Sequence, residues 1–130
     1  RKKYFWRMGS IRQKVALQEI RFFAYHGFYP EEQLTGNEYL VDIETEMIVS
    51  GKGDEDISLT VNYERLFEIA REEMRIPRKL LETVACGMLE RVRQEFLSVQ
   101  SVRVAIRKLN PPVGGEVKNS LVELQFNRQS

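Results

Sequence analysis

The sequence predicts an α+β domain: one four-stranded antiparallel sheet, built in the order ββααββ, with two helices covering a single face. Three observations carry this. Apolar and polar residues alternate towards both ends of the chain, the apolar period changes to three and four residues in the middle, and glycine, proline or acidic clusters separate the pieces. A sheet with one apolar face and helices with one apolar stripe bury those surfaces best against each other.

The elements follow in chain order. The segment from Lys14 to Tyr25 is rich in β-formers, although it alternates imperfectly, and His26-Gly27 with Pro30 then supplies turn chemistry. From Asn37 to Val49 the alternation is strict, with Tyr39, Val41, Ile43, Thr45, Met47 and Val49 on one side and acidic residues on the other. The run Gly51-Lys52-Gly53-Asp54-Glu55-Asp56 reads as a loop. Tyr63, Leu66, Phe67, Ala70 and Met74 then lie on one helical stripe, with Thr60 or Asn62 as candidate caps. Pro77 ends that helix, and a second one follows through Leu81, Val84, Ala85, Met88, Leu89, Val92 and Phe96. Strand alternation returns at Val102, Val104 and Ile106, and again at Val122, Leu124 and Phe126, around the loop Pro111-Pro112-Val113-Gly114-Gly115.

Composition narrows the class. A chain of 130 residues, 42% hydrophobic and 30% charged, suits one globular domain. No apolar run reaches the ~20 residues of a membrane span, so no membrane partner is expected. Cys86 is the only cysteine and falls within the apolar pattern of the second helix, where burial is expected; a reducing cytoplasm suits such a chain, and no secretory signal is visible. The net charge of +1 conceals an asymmetry, because Arg1, Lys2, Lys3, Arg7, Arg12 and Lys14 all precede the first acidic residue, Glu19. Residues 1–14 are therefore read as a basic extension or cloning remnant, and residues 15–130 as the single domain. A basic, aromatic arm could also touch nucleic acid or an anionic membrane surface, but neither partner is expected here.

Lys108 is the residue that the strand pattern does not explain. It has the parity of Val102, Val104 and Ile106, which aims it at the apolar side of the sheet just before Asn110, Pro111 and Pro112 end the strand. A half-buried amine is what proton-transfer chemistry requires of a lysine, whereas a strand-end lysine that snorkels to water would show the same parity. Gly114-Gly115 leaves room for a ligand or a tight turn. Glu82, inside LLETVACGML, stands near the positive end of a helix dipole, where it could face a pocket or simply favour the helix start. Tyr63 could be a core aromatic of its helix. His26, Glu31 and Glu32 surround a turn in YHGFYPEE, yet one histidine and one cysteine without HExxH or CxxC spacing give no metal site. GxGxxG, P-loop and GxSxG motifs are also absent from the sequence.

Taken together and in order, FFAYHGFYPEEQLTGN, TVNYERLF, LLETVA and IRKLNPP resemble the dihydroneopterin aldolase family, over about Val15 to Phe126. The resemblance implies a tunnelling fold, in which ββααββ subunits join their sheets into a tetrameric barrel, often stacked in pairs as an octamer, with active sites between subunits. It implies retro-aldol cleavage of 7,8-dihydroneopterin without metal or organic cofactor. The ring C=N bond of that substrate can accept the electrons released, so the lysine need form no Schiff base. By the same resemblance, Lys108 is the general acid-base residue, acting through water. Glu32, five residues after the turn glycine, is its partner in preference to Glu31. Tyr63 reaches a neighbouring subunit's site to stack near the pterin and help return a proton. Glu82 anchors the aminopyrimidine edge, and Val61 and Leu81 form pocket walls or backbone contacts.

The chain departs from many relatives at Gly114-Gly115, where they carry a proline, and His26 is not shared by all members, which assigns it to turn structure or a secondary polar role. Two other readings use the same residues: an epimerase acting on dihydroneopterin or its triphosphate, and a pterin- or purine-binding protein without turnover. Asn110-Pro111-Pro112 resembles the aldolase branch more than the triphosphate epimerase branch, and retention of both Lys108 and Glu32 argues for turnover.

Overall fold

Four strands form one antiparallel sheet whose spatial order is the chain order: β1 (Ile11–Ala24), β2 (Asn37–Val49), β3 (Ser101–Leu109) and β4 (Asn119–Asn127). The structure, a computed structural model, describes residues 11–49 and 60–129. The first ten residues of the basic arm and the Gly51–Asp56 loop lie outside the described residues. Among the described residues three helices accompany the sheet, α1 (Pro30–Thr35), α2 (Tyr63–Arg75) and α3 (Leu81–Glu95). The expected order of strands and long helices is present, with a short helix added between the first two strands.

Strand parity places Tyr39, Val41, Ile43 and Met47 of β2 beside Val102, Val104 and Ile106 of β3, all buried. Leu66, Ile69, Ala70 and Met74 of α2, with Val84, Ala85, Met88, Leu89 and Val92 of α3, cover them to make the core. The opposite face is wet and carries a ladder of charges, in which Arg103 reaches Asp42, Glu44 and Glu123 while Lys14 reaches Glu44. The imperfect alternation of β1 is a β-bulge. Leu17 opposes Ile43 and Ile20 opposes Val41, so β1 spends three residues where β2 spends two. The extra residue includes Glu19 at φ +56, with its N–H on the Asp42 carboxylate at 2.7 Å. The bulge returns Ile20 and Phe22 to the core side.

Several expectations change. β1 begins at Ile11 rather than Lys14, so Ile11–Gln13 belong to the sheet. Asn62, not Thr60, caps α2 by accepting the Glu64 N–H at 3.0 Å. Cys86 is exposed. At ~100° per residue it lies well past the stripe that runs through Val84, Ala85, Met88, Leu89 and Val92. Phe67 borders the buried stripe of α2 and stacks on Phe22, ring centroids 6.1 Å apart, while Tyr63 opens the helix at 59% exposure. Neither ring enters the core.

Candidate active site

Lys108 is the penultimate residue of β3 and lies directly opposite Tyr39 on β2 and Ser120 on β4. Residues opposite one another share a face, so the lysine points to the helix-covered side, as its parity requires. Its side chain is 12% exposed and pairs with Glu32. The strand stops one residue later because Asn110 takes a left-handed conformation, φ +51, and Pro111 and Pro112 offer no N–H to a ladder.

The partner carboxylate is set by α1. Pro30 starts the helix, and Glu32 at its third position turns back so that Oε1 accepts the Tyr29 N–H at 3.2 Å while Oε2 takes Lys108. Both oxygens are engaged. The Lys108 hydrogen bond first, helped by the Tyr29 amide and opposed by burial, holds the Glu32 carboxyl below the usual carboxylate range. Glu31 belongs to the same turn but does not receive the lysine. Gly27 is required beneath this residue: a Cβ there would collide with Glu32 Cβ and stand 2.8 Å from its Cδ and Oε1.

Behind the pair sits His26, 1% exposed, its ring edge-on to Tyr39 with centroids 5.6 Å apart. Burial, and then the positive charges of Arg78 and Lys108, lower its pKa to about 4, so the imidazole is neutral. Its Nδ1 accepts the Arg78 N–H at 3.1 Å, which places the ring proton on Nε2, facing the Met74 backbone without a well-formed hydrogen bond. Tyr39 donates its hydroxyl to the His26 carbonyl at 3.1 Å, and burial, followed by the Glu32 charge, raises that phenol to about 12. Tyr39 therefore serves as a hydrogen-bond donor.

The remaining residues divide. Glu82 lies exposed in the first turn of α3 and Leu81 is partly buried at its start, four and three residues after Arg78. Tyr63 stands apart from the Lys108–Glu32 pair. With Val61 and Asn62 it lines an open groove against Val15, and with Phe67 a second one against Leu17. Those β1 residues pair with Thr45 and Ile43, four to six residues along β2 from Tyr39, which is roughly 13–20 Å at ~3.3 Å per residue. Val61 is itself buried in the core. Sequence reasoning missed Tyr39 and Arg78, the first because it reads as one more core position, the second because it acts through its backbone.

Chemically, a partly buried lysine held on a carboxylate can exchange a proton with a substrate hydroxyl or water while the carboxylate keeps it oriented. Among the described residues no group of three His, Cys, Asp or Glu side chains converges as a metal site would need, and no helix is long and apolar enough to cross a membrane.

The family model for dihydroneopterin aldolase matches residues 15–125. A dihydroneopterin aldolase of Streptococcus pyogenes serotype M6 is 33% identical over 117 residues, covering 88% of this chain and 98% of the relative. That of Bacillus subtilis is 32% identical over 113 residues, covering 85% and 94%. Among solved structures, the Escherichia coli dihydroneopterin aldolase in complex with neopterin superposes with a TM-score of 0.74 at 20% identity, over 88% of this chain and 99% of that one.

Proposed function

The chain belongs to the dihydroneopterin aldolase family, and from that premise we propose that it cleaves 7,8-dihydroneopterin into 6-hydroxymethyl-7,8-dihydropterin and glycolaldehyde, as a lyase of folate biosynthesis. The observation that carries this reading is the Lys108–Glu32 pair, seated at the end of β3 on the helix-covered face. In the retro-aldol step a side-chain hydroxyl of the substrate loses its proton, the carbon–carbon bond beside it breaks, and the electrons run into the ring C=N bond, whose nitrogen gains a proton. The enamine so formed is then protonated on carbon while its ring N–H gives up a proton, which restores the C=N bond in the hydroxymethyl product. Each step is a proton transfer that Lys108 can serve, directly or through water, with Glu32 holding the ammonium in place. Glu82 takes the aminopyrimidine edge, where a carboxylate can accept two N–H bonds side by side. Leu81 contributes a wall, and Val61, which lines the same groove as Tyr63, contributes one from the neighbouring subunit.

Tyr63 completes the site from a second subunit. Its distance from Lys108 within one chain supports this, and so do the sheet edges. β1 and β4 are both outermost, and the core-side residues of β4, Val122, Leu124 and Phe126, are only half covered. Edges of this kind suit strand-to-strand joining of copies into a barrel, as a tetramer or a pair of tetramers.

Incubation of the purified protein with 7,8-dihydroneopterin should release glycolaldehyde. Correctly assembled protein that releases none would refute the assignment. Lys108→Ala should lower kcat by at least about a hundredfold with product binding retained, whereas Glu82→Ala should chiefly weaken binding. Equal loss of binding in both would contradict the division of roles.

A further inference from the structure

We propose that His26 is a positioning residue: it locks the turn that carries Glu32 onto the connection between α2 and α3, and so holds the acid–base pair in register with Glu82. The inference rests on the aldolase reading above and adds to it a residue outside the reacting groups.

Three hydrogen bonds meet at this point. Nδ1 of His26 accepts the Arg78 N–H at 3.1 Å, the neighbouring Gly27 N–H donates to the Arg78 carbonyl at 2.9 Å, and the Tyr39 hydroxyl donates to the His26 carbonyl at 3.1 Å. One side of the junction leads through Gly27 to the Glu32 carboxylate, which lies over that glycine and grips Lys108. The other leads through Lys79 and Leu80 to Leu81 and Glu82 in the first turn of α3. The two halves of the site come from separate loops, and between them the imidazole supplies one of two backbone-directed bonds. The ring is suited to the task because it is neutral and buried. A protonated Nδ1 could not accept the Arg78 N–H, and the positive charges of Arg78 and Lys108 keep that proton away.

A residue needed only for folding would lower stability and all kinetic constants together. A positioning residue separates them, because an acid–base pair displaced by a fraction of an ångström slows chemistry while the pterin edge still binds. His26→Leu keeps most of the volume and removes the acceptor; His26→Asn places an amide oxygen near the position of Nδ1 and restores it. In the 130-residue chain, kcat and KM for glycolaldehyde release, the dissociation constant for 6-hydroxymethyl-7,8-dihydropterin, and hydrogen exchange of the Arg78 amide would be measured for each.

The expected result is a fall in kcat of about tenfold or more for His26→Leu, product affinity within about threefold of wild type, and faster exchange at Arg78. His26→Asn should recover most of both kcat and protection. Wild-type kcat in His26→Leu overturns the proposal, as does an Asn variant no better than Leu, or equal loss of kcat and product binding. Absence of glycolaldehyde release by the wild type, with the Arg78 amide protected, overturns the aldolase reading and the positioning role together. Release by the wild type with His26→Leu unimpaired overturns the positioning role alone.

Discussion

At the level of single residues, His26 couples the site to acid stability. Water is stripped from its ring by burial, Arg78 and Lys108 oppose a second proton, and only the Met74 backbone favours one, so its pKa falls from 6.5 to about 4. Between those values the unfolded chain binds more protons than the folded one, and stability therefore rises with pH across the window. The contribution is fully present above pH 6.5, declines as pH falls, and is gone below about 4. It amounts to on the order of 3 kcal/mol, at 1.36 kcal/mol for each pH unit. Glu32 acts in the same sense at lower pH, because its carboxyl is also held below its usual range and loses the Lys108 pairing when it protonates. Urea unfolding of wild type and His26→Asn at pH 4.5 and 7 separates the two groups. The wild type should lose markedly more stability between these values than the variant, which has no imidazole to titrate, whereas equal losses would contradict a buried neutral His26.

The element that decides the site is α1, six residues long and placed between two strands. Its first turn turns Glu32 back over Gly27, so the absence of a side chain at Gly27 is part of the geometry of the proposed site. Gly27→Ala would press a Cβ first against Glu32 Cβ and also to 2.8 Å from its Cδ and Oε1, so the first turn of α1 must shift and carry the carboxylate off Lys108. We expect kcat to fall by roughly ten- to a hundredfold at a stability cost of about 1–3 kcal/mol, and a variant with wild-type kcat would show that the Glu32 position is not critical. α1 itself was not legible in the sequence. Fewer than two turns give no repeating apolar stripe, and PEEQLT reads as turn chemistry beside Gly27 and Gly36. Lys108 was legible, because strand parity needs only four residues and Asn110-Pro111-Pro112 marks where the strand ends. The bulge at Glu19 appeared only as broken alternation, since the extra residue becomes visible only against the register of β2. Cys86 and Phe67 were misplaced for a related reason: an apolar residue type does not fix burial, and Cys86 lies past its helical stripe while Phe67 only borders its own. Arg78 was illegible because a backbone amide leaves no trace in residue type.

For the whole molecule, Tyr63 and Lys108 sit too far apart in one protomer to serve one substrate, while β1 and β4 have unpaired outer edges among the described residues. A shared site resolves both observations at once. Joining β1 of one copy to β4 of the next would extend the sheet, bring the half-covered Val122, Leu124 and Phe126 beside apolar residues of β1, and turn the groove that Tyr63 lines towards the neighbouring subunit. The charged face of the sheet, with Arg103 among Asp42, Glu44 and Glu123, would then line the inside of the ring, where paired charges tolerate water. Subunit mixing tests this directly. Lys108→Ala and Tyr63→Ala chains, each nearly inactive alone, are unfolded together in equal amounts and refolded. If each site takes its lysine from one subunit and its tyrosine from the neighbour, half of the lysines and half of the tyrosines are intact independently, and about a quarter of sites regain both. Glycolaldehyde release should therefore return to about a quarter of the wild-type rate under random assembly. Were Tyr63 and Lys108 to act within one chain, every site would lack one of them, and the mixture would stay as slow as its components.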